Sequence, residues 1–210
     1  MPMDLWLAWM VRLAAGIVAI QAPYAPVSHE RALDYAAAAA YHGLRAGVDP
    51  WELIAIARNE SDFIENQLGP DGKDCGITQT RTTVSRYSCR QLQHSYWLGF
   101  AEAAREMAEY NGACQGHADY DRCRINHYNS GARYARTGMH GRYWLRVLCF
   151  ASAARAGVAV GSLCRGVRDQ VDIRHLLAGD SPPPISSLTR RNARRPMGSM
   201  RHLAALDRRR

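Results

Sequence analysis

The sequence predicts a mainly α-helical domain stapled by disulfides, and three observations carry that expectation. Apolar residues recur at helical spacing through most of the chain, and no stretch alternates convincingly as a half-buried strand would. Six cysteines, at 75, 89, 114, 123, 149 and 164, are even in number and widely spaced. None forms a Cys-x-x-Cys pair and no histidine lies at zinc-ligand spacing from them, which argues against a metal site and for disulfides in an exported protein. With 210 residues, 47% of them hydrophobic and 22% charged, the chain is long enough for one domain with a sizeable core plus extensions.

Three segments are expected: an apolar stretch over 1–27, a folded domain over 28–177, and a basic tail over 178–210. The first, MPMDLWLAWMVRLAAGIVAIQAPYAPV, is interrupted by Arg12 and carries Asp4 where a signal peptide would be basic. It reads as a signal, an uncleaved anchor or a greasy first helix. A start at Met10 would give the more conventional basic-then-apolar order.

Residues 29–46 are Ala-rich, with Ser28 placed to cap the start of a helix and Gly47 to end it. The next helix opens on Asp49-Pro50, with Glu52 three residues after the cap, an Asp version of the capping box. From there Leu53, Ile56, Ala57 and Glu60 fall at i, i+3, i+4 and i+7 and share a face, while Arg58, Asn59 and Asp62 point elsewhere. Glu60 is thus a lone carboxylate on an apolar stripe. A Gly- and Asp-rich loop follows, LGPDGKDCGITQT, closed by Gln79. Residues 95–110 form an amphipathic helix with Trp97, Phe100, Ala101, Ala104, Met107 and Ala108 on one side, stopped by Asn111-Gly112. Shorter helices are expected over 119–129, closed by Ser130-Gly131, and over 142–156. Pairing each cysteine with its sequence neighbour (75–89, 114–123, 149–164) closes three short loops between these helices, each bridge contributing on the order of 3 kcal/mol.

The chain is basic through arginine: of 27 Lys and Arg residues only Lys73 is lysine. The tail holds eight Arg against Asp180 and Asp207, a net +6 of the total +8, so the body is close to neutral. DSPPPISS opens this tail, and too few apolar residues follow for it to pack. Such a tail suits an anionic polymer. It has no aromatic residue for base stacking, which argues against nucleic acid.

The chemistry centres on Glu60. Loss of hydration on an apolar face disfavours the anion, and a carboxylic acid that keeps its proton near neutral pH is what cleavage of a glycosidic bond requires. The bland alternative is a buried glutamate neutralised by an arginine. Gly69, Gly72 and Gly76 suit a loop that brings backbone close to a ligand, and the Gln79 amide offers donors and an acceptor for sugar hydroxyl and N-acetyl groups. INHYNSG adds Tyr128 and Asn129 at a helix end.

In this order, the three stretches over about residues 30–157 resemble the lytic transglycosylases of lysozyme-like fold, relatives of goose-type lysozymes. GVDPWELIAIARNESDF resembles the family's opening helix, whose Glu-Ser pair puts the catalytic acid at Glu60 followed by Ser61. GITQ, Gly76-Ile77-Thr78-Gln79, is similar to Gly-Leu-Met-Gln, and HYNSG to Ala-Tyr-Asn-x-Gly. Leu68-Gly69-Pro70-Asp71 stands where the family usually carries a sugar-binding Ser. The resemblance implies that Ser61, Gly76, Ile77, Thr78, Gln79 and Asn129 contact substrate, that Tyr128 and Asn129 sit close to Glu60, with Tyr128 a second catalytic residue that orients or polarises groups at the cleavage point, and that no cofactor is used. It implies a peptidoglycan strand as partner, cleaved at the MurNAc-GlcNAc bond to leave 1,6-anhydro ends. A hydrolytic lysozyme would need a second carboxylate, for which Asp71 and Asp74 rank above Asp62. A non-catalytic wall-binding protein is the reading from another class. The implied place is the periplasm or cell envelope, or a phage programme.

Overall fold

A computed structural model describes residues 2–131, 142–159 and Cys164 of the chain; the basic tail lies outside the described residues. Among the described residues the chain is mainly helical, with seven helices and one two-stranded hairpin. In chain order these are α1 (Met3–Ile20), α2 (His29–Ala46), α3 (Pro50–Ser61), β1 (Asp74–Cys75), β2 (Thr80–Arg81), α4 (Cys89–Gln93), α5 (Tyr96–Ala113), α6 (Tyr120–Ser130) and α7 (Tyr143–Ala156).

The apolar N-terminal segment is an 18-residue helix, long and apolar enough to cross a membrane by length and composition. From Met10 onward one face packs into the core against α2 and α7 through Met10, Leu13, Ala14 and Ile17, at i, i+3, i+4 and i+7. Gly16 permits that approach: a Cβ there would stand 2.5 Å from the Ala154 carbonyl oxygen on α7. The N-terminal half leaves Met3, Leu5, Leu7 and Val11 exposed.

Local signals fix α2. The Ser28 hydroxyl accepts from the Arg31 amide at 3.2 Å, and Gly47 ends the helix in the left-handed region at φ 69°. The Asp49 side chain likewise caps α3, accepting from the Trp51 amide at 3.0 Å. The reciprocal half of the expected capping box does not form, because Glu52 faces inward and is bound by the Arg124 guanidinium of α6 (Nη1 to Oε2, 2.5 Å). Nor is α3 a helix with one apolar stripe. Every residue from Pro50 to Arg58 is buried, since α1, α2, α5 and α7 surround it. Arg58, expected to point outward, is buried too: it donates to the Ile20 carbonyl at the end of α1, pairs with Asp62, and lies over the Phe150 ring at 4.9 Å.

The helix stops where Asp62 and Phe63 both turn left-handed, at φ 54° and 66°. That conformation costs non-glycine residues on the order of 1 kcal/mol each. It is offset by the Arg58–Asp62 pair, by the Tyr24 hydroxyl on Asp62, and by burial of Phe63 against Tyr35 with ring centroids 5.9 Å apart. The stop leaves Glu60 in the last turn of α3.

The loop after α3 folds into the hairpin, with Asp74 opposite Arg81 and Cys75 opposite Thr80; its strands are two residues each, too short to show as an alternating pattern. Helix α4, five residues long and not anticipated, is held by a complete Ser88–Gln91 capping box. All three bridges join sequence neighbours: Cys75–Cys89, Cys114–Cys123 and Cys149–Cys164. In α5, Phe100, Ala104 and Met107 are buried as expected, but Trp97 is 37% exposed and packs on His42 and Tyr41 at the rim. Glu102 and Glu106 are buried instead. The helix also runs through Asn111-Gly112 to Ala113.

Candidate active site

The end of α3, the hairpin and the facing sides of α5 and α6 enclose a cleft of about 630 Å³. Its polar lining includes Glu60, Gln67, Asp74, Gln79, Arg81, Glu106, Tyr110 and Tyr128, with Asn129, Ser130 and Gly131 at the end of α6.

Glu60 is half-buried, its stem in the core and its carboxyl at the cleft wall. Desolvation pushes its pKa up to about 7. The Tyr143 hydroxyl, donating to Oε1 at 2.5 Å, acts the other way because it favours the anion; nearby Asp74 raises the pKa further. Among the described residues no arginine is paired with Glu60. The charge of Arg146 lowers its pKa without forming an ion pair with it.

Gln79 stands at the tip of the hairpin with φ 47°, and its Nε2 donates to the carbonyls of Gln67 (3.1 Å) and Gly76 (2.9 Å). The amide nitrogen therefore holds the loop, and Oε1 is the atom left for a ligand. Gly76 is required where it is: its φ is 79° and a Cβ would stand 2.5 Å from the Leu92 carbonyl oxygen. Its backbone serves the loop and not the cleft, with its N–H on Gln67 O at 2.9 Å.

Ser61, Ile77 and Thr78, expected to contact substrate, face the core. The Ser61 hydroxyl bonds the Ala57 carbonyl at 3.1 Å and the Ile77 carbonyl at 2.6 Å, tying the end of α3 to the 76–79 turn. Ile77 is fully buried, and Thr78 Oγ1 donates to Gly99 O at 3.1 Å. These residues place Glu60 and Gln79 relative to each other.

Tyr128 and Asn129 do line the cleft with Glu60. The Tyr128 hydroxyl donates to Thr78 O at 2.9 Å, and burial holds the phenol well above its usual pKa, with Glu106 and Glu60 adding to the effect. Asn129 is exposed, its Nδ2 3.4 Å from Ser130 Oγ. Of the two loop aspartates, Asp74 lines the cleft and Asp71 does not. Arg81 binds both, at 3.1 Å to Asp74 and 2.8 Å to Asp71, so neither is a free base.

Two residues of the site carried no signal in the sequence. Tyr143 sits in an aromatic Tyr-Trp pair at the start of α7, a pattern shared with ordinary core. Glu106 falls in EAAREMAE, where alternating charges read as a solvated face.

Comparison with protein-family models, with curated proteins and with solved structures finds no match to this chain.

Proposed function

We propose that the chain is a peptidoglycan lytic transglycosylase in which Glu60 is the single acid and base. One observation carries the reading: the Glu60 carboxyl opens on a cleft, paired with no arginine among the described residues and holding its proton up to about pH 7. The oxygen of a β-1,4 bond between N-acetylmuramic acid and N-acetylglucosamine would receive that proton as its bond to C1 breaks. The acetamido oxygen of the same muramyl sugar stabilises the cationic carbon. Glu60, now a carboxylate steadied by the Tyr143 hydroxyl, then takes the proton from the C6 hydroxyl, whose oxygen bonds C1 and closes the 1,6-anhydro ring. No water is consumed. The Gln79 Oε1 and Asn129 side chains would hold the strand.

Three disulfides and an apolar N-terminal helix fit an exported protein, and the cell wall lies in that compartment. The Arg-rich tail would add affinity for anionic wall polymers. Local wall opening for an export machine, a phage or wall turnover is the corresponding role.

Glu60→Gln tests the assignment. Removing the acid lowers lysis of purified wall by on the order of 10²- to 10⁴-fold, and mass spectrometry of wild-type digests finds 1,6-anhydro ends. Reducing muramyl ends in their place would mean hydrolysis. Undiminished lysis by the variant would overturn Glu60 as the acid, and a wild type that binds purified wall without lysing it would leave a non-catalytic wall binder.

A further inference from the structure

The cleft contains a second deeply buried carboxyl that the proposed mechanism does not use. Glu106, on α5, is 6% exposed and lines the same wall as Tyr110 and Tyr128. Its Oε1 is shut off from solvent and accepts no hydrogen bond. The nearest cation, Arg105 Nη2, stands at 3.6 Å, beyond hydrogen-bond reach, and is engaged by Glu102 at 2.9 Å and the Val84 carbonyl at 3.2 Å. An anion here would leave a buried oxygen without a hydrogen bond and with only the Arg105 charge at 3.6 Å to offset it, which costs more than a neutral acid whose carbonyl oxygen occupies that place. The proton then belongs on Oε2, the oxygen left to meet a ligand.

The donors of the cleft explain why such a proton matters. On the side of Glu60 and the hairpin, the Tyr128 hydroxyl is on Thr78 O, the Gln79 amide nitrogen on Gln67 O and Gly76 O, the Tyr143 hydroxyl on Glu60, and the Arg81 guanidinium on Asp71 and Asp74; the Tyr110 and Ser130 hydroxyls and the Asn129 amide are further donors in the lining. A sugar hydroxyl can donate for itself to Gln79 Oε1. An acetamido carbonyl oxygen only accepts, so it needs a donor from the protein.

We propose that Glu106 is a substrate-contact residue that donates its acid O–H to the acetamido carbonyl oxygen of an N-acetylated sugar in the bound strand. The inference rests on the reading of the cleft as a glycan site. Groups facing Glu106 are Arg105, Glu102, Glu109 and Tyr110 on α5, Asp74 and Arg81 on the hairpin, Tyr128 on α6 and Glu60 on α3. Desolvation is the main cause that raises its pKa to about 7; Arg105 opposes it, and Glu102, Glu109 and Asp74 add to it. Above that pH the donor is lost.

The test measures binding of a β-1,4-linked N-acetylglucosamine hexamer, with a β-1,4-linked glucose hexamer as comparison, by NMR titration at pH 6 and pH 8. All variants carry Glu60→Gln, which stops turnover and removes the other titrating acid. That protein should bind the acetylated hexamer in preference, with affinity falling roughly five- to tenfold between the two pH values. Adding Glu106→Ala should cost about tenfold at pH 6 and abolish the preference for the acetylated chain. Adding Glu106→Gln restores a donor, so it should recover most of that loss and flatten the pH dependence. Equal binding with alanine at position 106, or a pH dependence that survives Glu106→Gln, overturns the inference. The glutamine variant decides the question alone if the alanine variant does not fold. If Glu60→Gln binds neither hexamer and the wild type leaves wall intact, the glycan reading itself has failed.

Discussion

The Tyr143–Glu60 hydrogen bond yields a prediction whose sign distinguishes it from a general loss of function. Tyr143 is buried and donates its hydroxyl to Glu60 Oε1 at 2.5 Å. A hydrogen bond to a charged group in such surroundings contributes about 1.5–3 kcal/mol, and it favours the anion. Tyr143→Phe removes it and nothing else of similar size, so the Glu60 pKa should rise from about 7 by about one to two units. Proton donation to the glycosidic oxygen needs the acid form. The alkaline limb of wall lysis should therefore move up by the same one to two units, while the rate near pH 5–6 falls because a weaker acid donates less readily. The assay is clearing of purified wall from pH 5 to 9, with circular dichroism to confirm folding. Tyr128→Phe is the control: its hydroxyl bonds Thr78 O and not Glu60, so its loss should leave the limb in place. All these proteins carry Glu106→Gln, so that the other raised acid of the cleft cannot set the limb; a limb that then stays put in Tyr143→Phe, or shifts toward acid, would refute the claim that this contact sets the acidity of Glu60.

Two further predictions concern stability. The folded-state pKa of Glu60 lies above the usual carboxylate value, from 4.5 to about 7, so its contribution is fully present below about pH 4.5 and is lost as pH rises through 7. Glu60→Gln should thus exceed the wild type by up to about 3 kcal/mol at pH 8 and lose that advantage near pH 4.5, read by urea unfolding at both; an advantage independent of pH would exclude the carboxyl as its source. Gly76→Ala combines a positive φ with a carbonyl oxygen 2.5 Å from the new methyl group, so about 2 kcal/mol or more of stability should be lost together with wall lysis; unchanged melting would mean that the turn is not held against α4 as described.

What the sequence made legible is what local chemistry decides. Ser28 and Asp49 cap helices because a short oxygen-bearing side chain reaches an amide two or three residues on, and no distant partner enters. Neighbouring cysteines pair because the loops between them are short. The failures share a different origin. Glu52 and Arg58 look like surface residues until partners 72 and 38 positions away enclose them. Glu106 has the same history, since the hairpin and α6 that cover it belong to distant parts of the chain. Ser61, Ile77 and Thr78 were legible as motif positions but not as to direction. Their side chains turn inward because they join the end of α3 to the hairpin and the hairpin to α5.

The arrangement of acids around the cleft follows from this packing. Glu60, Asp74 and Glu106 line one concavity, and three adjacent anions in a partly dehydrated space would repel each other strongly. The fold relieves that repulsion in two ways. Asp74 is paired with Arg81 near the surface. Glu60 and Glu106 lie deeper and are relieved by keeping their protons, both to about pH 7. The same burial that costs stability above neutral pH therefore supplies the one species a glycosidic oxygen needs, an undissociated acid at working pH. Because the stop at Asp62-Phe63 fixes the last turn of α3 and Ser61 ties it to the Gln79 turn, the position of that acid depends on backbone geometry set on both sides of it. The acidity of Glu60 is accordingly a property of the packing of α3, the hairpin and α7, and perturbing any of the three should show in its titration before it shows in the fold.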